Sequence, residues 1–172
     1  MKPNQLTHYN TKNPSKLFPI LLICDGVKSP SNIGSLFRLC DALGVSEIVF
    51  HDSDININSS RLQKTARSTQ KKVLYSETID IIGAIQDYKS KGYLIHSLEI
   101  TDESVSLENI SIKKDQKSVL IIGNEQQGIS NKVLQISDTI IKINMFGQNS
   151  SMNVVQAASI ALYTLINKFY YK

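Results

Sequence analysis

From Phe18 onward, short apolar runs alternate with amphipathic segments, and this alternation restricts the possible folds more than any other feature of the chain. Ile20–Cys24 reads as a buried strand, followed by strands at Glu47–His51, Lys72–Ser76, Tyr93–Glu99, Ser118–Gly123 and Thr139–Ile143. Between them lie a helix at Asn32–Leu43, with Ile33, Leu36, Phe37, Cys40 and Leu43 inward, and a basic helix near Ser60–Ser68. A helix at Thr78–Lys89 is closed by Gly92, and Asn131–Ile136 is a short helix. In the last helix Val154, Ala158, Ala161, Leu162, Leu165 and Phe169 share one face. Serial strand–helix units predict an α/β domain with a mainly parallel sheet and helices on both faces. Residues 1–17 show no periodicity and read as an N-terminal extension to a domain spanning 18–172.

A chain of 172 residues has room for one well-buried core. Its 41% hydrophobic and 20% charged content suits a soluble globular domain. No apolar run approaches the roughly 20 residues of a membrane helix, and Met1 to Lys16 lacks the apolar centre of a secretory signal, so a cytoplasmic protein with no membrane partner is expected. Cys24 and Cys40 form no Cys-x-x-Cys pair and read as buried free thiols. His8, His51 and His96 lack zinc-site spacing, so no metal is expected. The net charge of +4 is modest, but Arg61, Lys64, Arg67, Lys71 and Lys72 crowd together without an acid. On a continuous helix most of that charge shares one face, either to follow a phosphate backbone or as ordinary solvated surface.

Three polar clusters fall beyond the carboxyl ends of predicted strands, where ligands gather in such folds. The first, from Asp25 to Arg38, contains Asn32, Gly34 and Arg38. Ser31 or Asn32 reads as a helix cap, though Asn32 equally suits a ligand role. Arg38, beside a helix N-terminus and off the apolar stripe, suits a phosphate grip or a surface ion pair. In the second, Gly123-Asn124-Glu125-Gln126-Gln127-Gly128, two glycines let the backbone approach a ligand. Glu125 suits proton acceptance, a ribose hydroxyl, orientation of Arg38, or simple stabilisation at a helix start. This loop is neither a dinucleotide nor a nucleoside-triphosphate fingerprint. In the third, Ile143 and Met145 flank an apolar slot, and Ser151 and Asn153 offer hydrogen bonds where the last helix begins. Ser151 also reads as a plain cap. No Gly-x-Ser-x-Gly elbow for acyl transfer is present.

With these residues the chain resembles the SpoU-type RNA ribose 2′-O-methyltransferases of the SPOUT superfamily. Asn32, Gly34 and Arg38 match that family's Asn-x-Gly-x-x-x-Arg motif. Gly123, Asn124, Glu125 and Gly128 match its Gly-Asn-Glu-x-x-Gly motif, and the stretch from Ile143 is similar to its Ile-Pro-Met-x-Gly-x-x-x-Ser-Leu-Asn-Val-Ser motif. The three occur in family order between Ile20 and Leu165. Asn144 stands for the usual Pro, Met152 for Leu and Val155 for Ser. Loss of the Pro predicts a looser loop, whereas Leu to Met keeps the slot apolar.

The resemblance implies a SPOUT methyltransferase domain with a deep C-terminal trefoil knot, a homodimer with the active site at the subunit interface, and S-adenosylmethionine as methyl donor without a metal. It places Leu98, Gly123, Asn124, Gly128, Ile143, Met145, Ser151 and Met152 at the donor. It places Asn32, Arg38, Glu125, Ser151 and Asn153 in catalysis. The resemblance makes Arg38 the activating residue; because a guanidinium is a poor base, Arg38 is assigned to anchoring phosphate and stabilising the alkoxide, with proton acceptance as the open alternative. The expected partner is RNA. The short chain leaves recognition to residues 1–17, the basic face and the dimer, which favours transfer RNA over ribosomal RNA. A catalytically silent RNA-binding relative is the alternative that would keep the basic face and lose donor binding. A receiver-like signalling domain would need an acidic pair with a phosphoacceptor Asp and a late Lys, and the chain supplies no such set.

Overall fold

A computed structural model describes residues 4, 11, 15–113 and 115–170. Most of the N-terminal extension read from the sequence therefore lies outside the described residues. The elements are β1 (Phe18–Asp25), α1 (Pro30–Leu43), β2 (Val45–His51), α2 (Ser60–Ala66), β3 (Tyr75–Thr78), α3 (Ile81–Ser90), β4 (Leu94–Leu98), β5 (Val105–Ser106), β6 (Ser118–Gly123), α4 (Asn131–Ile136), β7 (Thr139–Lys142) and α5 (Val154–Tyr170). Short 3-10 turns follow α2 at Thr69–Lys71 and β5 at Leu107–Asn109.

The seven strands form one sheet in the order β3-β2-β1-β6-β4-β7-β5, and every pairing is parallel. Alternate residues of the central strands supply two cores. Leu22, Cys24, Leu120 and Ile122 pack with Phe37 of α1 and Ala158 and Leu162 of α5. Leu21, Ile23, Val119 and Ile121 pack with Ile81 and Ile85 of α3 and Val133 of α4. Helices thus cover both faces, which is why β1 and β6 read as nearly unbroken apolar runs. Cys24 and Cys40 are buried free thiols whose burial pushes both up from the ordinary thiol range. No helix among the described residues is long and apolar enough to cross a membrane.

Register decides where the site forms. Asp25 lies opposite His51 on one side and Gly123 on the other, so β1, β2 and β6 end level. The chain turns outward from β1 through β2 to β3, then returns to lay β6 against the other edge of β1. The first two polar clusters meet at that reversal, the usual ligand crevice of open parallel sheets.

Several local expectations change. Ser29, not Ser31 or Asn32, caps α1, accepting from the Asn32 amide at 3.5 Å with Pro at the first turn. The basic helix stops at Ala66 because Arg67 and Ser68 take left-handed φ values of 49° and 69°. Lys71 then falls in the 3-10 turn, so these charges do not share one helical face. The third strand is Tyr75–Thr78 rather than Lys72–Ser76, and α3 starts at Ile81 because Asp80 caps it through the Gly83 amide at 3.0 Å. The two-residue β5, too short to show alternation, escapes sequence reading and makes Ser118–Gly123 the sixth strand.

Candidate active site

A cavity of about 330 Å³ opens at the carboxyl ends of β4, β6 and β7. Leu98, Ile143, Met145 and Met152 give it apolar walls, and Gly123, Asn124, Gly128 and Ser151 also line it. All the residues assigned to the donor are therefore in one place. Glu125 and Asn153 line the same cavity.

The loop after β6 is held in shape by its own backbone. Asn124 and Gly128 exchange amide–carbonyl bonds at 3.0 Å each, and Asn124 Oδ1 accepts from the amides of Gln126 and Gln127. A Cβ on Gly123 would strike the carbonyl carbon and oxygen of Gly128 and the amide of Ile129, so this turn closes only on glycine. Gly128 has φ 68° and lies against the Glu99 carboxylate.

Three motifs far apart in sequence are joined by a chain of polar contacts. Asn32 Nδ2 donates to Glu125 Oε1 at 2.7 Å, and Asn153 Nδ2 donates to Asn32 Oδ1 at 3.2 Å. Asn153 Oδ1 in turn accepts from the Val155 amide at 2.9 Å, so Asn153 rather than Ser151 caps α5. Moving the α1 cap to Ser29 is what frees the Asn32 side chain for this role. Partial burial pushes the Glu125 carboxyl up, but hydrogen bonds from Asn32, from its own backbone and from the amides of Lys28 and Ser29 outweigh that and hold it below its ordinary value. It is an ionised acceptor with little appetite for a proton.

Two carboxylates outside the predicted set brace the cavity. Glu99 lines it and accepts from the amides of Ile129 at 3.0 Å and Ile100 at 2.9 Å. Buried Asp25 accepts from the Ser130 amide at 3.0 Å and hydroxyl at 2.8 Å through one oxygen, and meets His51 Nδ1 at 3.0 Å through the other. Both stand at or just past a strand's carboxyl end, the only sequence signal that marks them. Asn144, in place of the family's Pro, donates through Nδ2 to Ser106 at 3.0 Å and Glu108 at 3.4 Å.

Arg38 is elsewhere. It lies two turns into α1, roughly 12 Å along the axis from the first residue, not beside the helix start. It is exposed in a separate cleft with Lys64 and Arg67, which shares no lining residue with the cavity at the ends of β4, β6 and β7. Among the described residues no cluster of three or more His, Cys, Asp or Glu side chains is placed to hold a metal.

The parallel α/β fold described above is shared with solved RNA-modifying proteins. The chain belongs to the SpoU rRNA Methylase family, whose model matches residues 19–163. It is 28% identical over 145 residues to a tRNA (guanosine(18)-2′-O)-methyltransferase of Aquifex aeolicus, covering 84% of this chain and 67% of that protein. It is 29% identical over 147 residues to the enzyme of the same name from Saccharomyces cerevisiae, covering 84% of this chain but 10% of that much longer protein. The crystal structure of the Aquifex aeolicus TrmH/SpoU tRNA modifying enzyme superposes with a TM-score of 0.79 at 26% identity, over 90% of this chain and 77% of that one.

Proposed function

We propose that this chain is an S-adenosylmethionine-dependent methyltransferase acting on a ribose 2′-hydroxyl of RNA, with transfer RNA as substrate. The observation that carries the reading is the Glu125–Asn32–Asn153 chain, which links the family's three motifs beside one cavity. The cavity's size is within the roughly 300–1,000 Å³ of small-molecule sites. Its lining also fits the donor: apolar side chains suit an aromatic base, while loop peptide groups, Ser151 and Asn153 suit polar ends. S-adenosylmethionine supplies a methyl on a positively charged sulfur, so the reaction needs an oxygen lone pair and no metal. The names of the two curated relatives support transfer RNA over ribosomal RNA.

The residues divide the remaining work. Asn32 and Asn153 hold the start of α5 against the loop after β6, and Ser151 adds a hydroxyl to the cavity wall. Glu125 orients Asn32, and its lowered proton affinity makes it a positioning group rather than the base. Arg38 anchors phosphate and stabilises the 2′ oxygen as its proton passes to solvent and the methyl leaves the sulfur, which departs as a neutral thioether. For that, Arg38 must meet a donor cavity other than its own chain's, which supports a homodimer with a shared site. The apolar Ile160 and Tyr163 of α5, 42% and 60% exposed, offer a face for the second copy. The trefoil knot belongs to the same proposal, supported by the return of the chain to insert β6 between β1 and β4 and β7 between β4 and β5. A cytoplasmic setting fits an RNA substrate.

The test is transfer of labelled methyl from S-adenosylmethionine to total RNA, with 2′-O-methyl positions mapped with and without the protein. A new methylated ribose in transfer RNA is the expected result. No heat of donor binding at millimolar concentration and no labelled RNA would overturn the reading.

A further inference from the structure

The chain between β7 and α5 forms part of the rim of the cavity. Met145 lines the cavity before the loop leaves it, and Ser151 and Met152 line it where the loop returns. The residues between, Phe146 to Ser150, do not line it and are exposed. Phe146 is 94% exposed, and among the described residues its ring meets no other ring. Space beside it is open too, since a Cβ added to Gly147 would have no atom within 4 Å.

A single exposed apolar side chain is ordinary on a protein surface, so exposure alone carries no argument. Ile79 is as exposed, but it follows β3, an edge strand four places from β4 in the sheet. Phe146 is set apart by its neighbours. From Ile143 to Asn167 the chain has no charged side chain, so this rim holds no phosphate by charge. The side chains of Gln148, Asn149 and Ser150 make no hydrogen bond among the described residues. An aromatic ring beside free amide and hydroxyl groups is complementary to a nucleobase, which is apolar on its faces and hydrogen-bonding at its edge.

The base is also the part of the substrate that has no partner so far. The cavity takes the methyl donor and Arg38 takes the phosphate, while the base attached to the reacting ribose is unassigned. A base kept in the helical stack holds its ribose there as well. Once splayed out and stacked on a protein ring, it carries the ribose with it to the cavity mouth.

We propose that Phe146 is a base-stacking residue, whose ring receives the unstacked nucleobase of the methylated nucleotide at the rim of the cavity. Gln148 and Asn149, two and three residues further along the rim, supply donors and acceptors for the edge of that base. The proposal rests on the RNA 2′-O-methyltransferase reading for the identity of the ligand.

The chain has no tryptophan, so Phe146→Trp carries a single one and its fluorescence reports on this position alone. A transfer RNA transcript should quench that emission. Inorganic polyphosphate at matched ionic strength, which has charge but no bases, should leave it unchanged. Phe146→Ala and Phe146→Leu should each bind the transcript roughly tenfold more weakly, the scale for losing one stacked base, while Phe146→Tyr and Phe146→Trp bind as wild type does. The slope of log affinity against log salt should be the same in all four, because no cation is removed. S-adenosylmethionine affinity, read by calorimetry, should not move.

Wild-type affinity in Phe146→Leu would overturn the proposal, because volume without a ring would then suffice. Equal quenching by polyphosphate would overturn it as well. If the Phe146→Trp emission shifts to the blue with protein concentration in the absence of RNA, in step with a rise in mass by sedimentation, the ring is buried against a second copy and the base assignment fails. Normal methyl transfer by Phe146→Leu would remove the stacking and leave the methyltransferase reading intact. Quenching of Phe146→Trp by RNA, with neither donor binding nor methyl transfer, would do the reverse.

Discussion

The cavity at the ends of β4, β6 and β7 and the α1–α2 cleft both involve the first polar motif, yet they are built on opposite principles. Around the cavity, polar groups answer one another: Asn32 bridges Glu125 and Asn153, Asn124 closes its own turn, and Glu99 and Asp25 receive the amides of the loop that follows. The cleft is left electrically unanswered, with three cations and no carboxylate partner among the described residues. A satisfied network keeps its shape before a ligand arrives and suits a small molecule that must be held in one pose. An unsatisfied cationic cleft attracts a polyanion and stays sensitive to salt. Asn32 and Arg38 sit on one helix, but one joins the satisfied network and the other the cleft.

Arg38→Ala is the largest test of that division. Methyl transfer is expected to fall by roughly 10²–10³-fold, the scale for losing one preorganised charge stabiliser, while S-adenosylmethionine affinity stays near normal. Arg38→Lys should recover little, because an ammonium cannot reproduce a two-pronged planar contact. Single-turnover transfer run beside donor calorimetry reads both quantities. A matched loss of donor affinity would break the comparison, because it would make Arg38 a donor-binding residue rather than one that acts on the RNA.

The two close-approach glycines offer a reciprocal pair of intermediate size. Gly123→Ala sets a methyl against the Gly128 and Ile129 backbone, and Gly34→Ala sets one against the Leu62 carbonyl and the Thr65 hydroxyl. Each is expected to cost about 1–3 kcal/mol of stability as the neighbouring backbone shifts. For Gly34 this overrides the gain of about 1 kcal/mol that alanine would otherwise bring to a helix interior. Gly123→Ala should weaken the donor and spare the RNA salt slope, whereas Gly34→Ala should flatten the slope and spare the donor. Urea unfolding gives the stability change, and a Gly34→Ala protein more stable than wild type would show that α1 and α2 do not touch there.

Much of this difference was open to sequence reading at the cavity and closed to it at the cleft. The cavity rests on glycines at strand ends and small polar residues at a helix start, which are local signals, and every residue assigned to the donor lines it. The cleft depends on where α2 stops. Glycine would have announced the left-handed turn at Arg67; an arginine there gave no warning, so the charges looked continuous along one helix. Asn32 looked like a cap because the sequence does not say that Ser29 already performs that task. Asp25 and Glu99 acquire their meaning from partners at Ser130 and Ile129, across strand pairings that no local pattern encodes.

The smallest expected effect lies within the satisfied network and asks whether charge or shape holds it. Glu125 is held below its ordinary value of 4.5 because bonds from Asn32, its own backbone and the Lys28 and Ser29 amides outweigh the upward push of partial burial. In the relevant window the unfolded chain therefore binds more protons than the folded one. The contribution of Glu125 to stability is then complete above its ordinary value and is lost as pH falls through the lowered one. Glu125→Gln keeps an oxygen for Asn32 but turns an NH2 toward the amides of Lys28 and Ser29, so the variant lacks this contribution at every pH. Glu125 is exposed, and solvent screening keeps the difference at about 1 kcal/mol or less. Urea midpoints of wild type and Glu125→Gln should differ most near neutral pH and converge below 4.5. A difference that stays constant across that range would mean the carboxylate's charge is immaterial, and that Asn32 and Asn153 are held by shape alone.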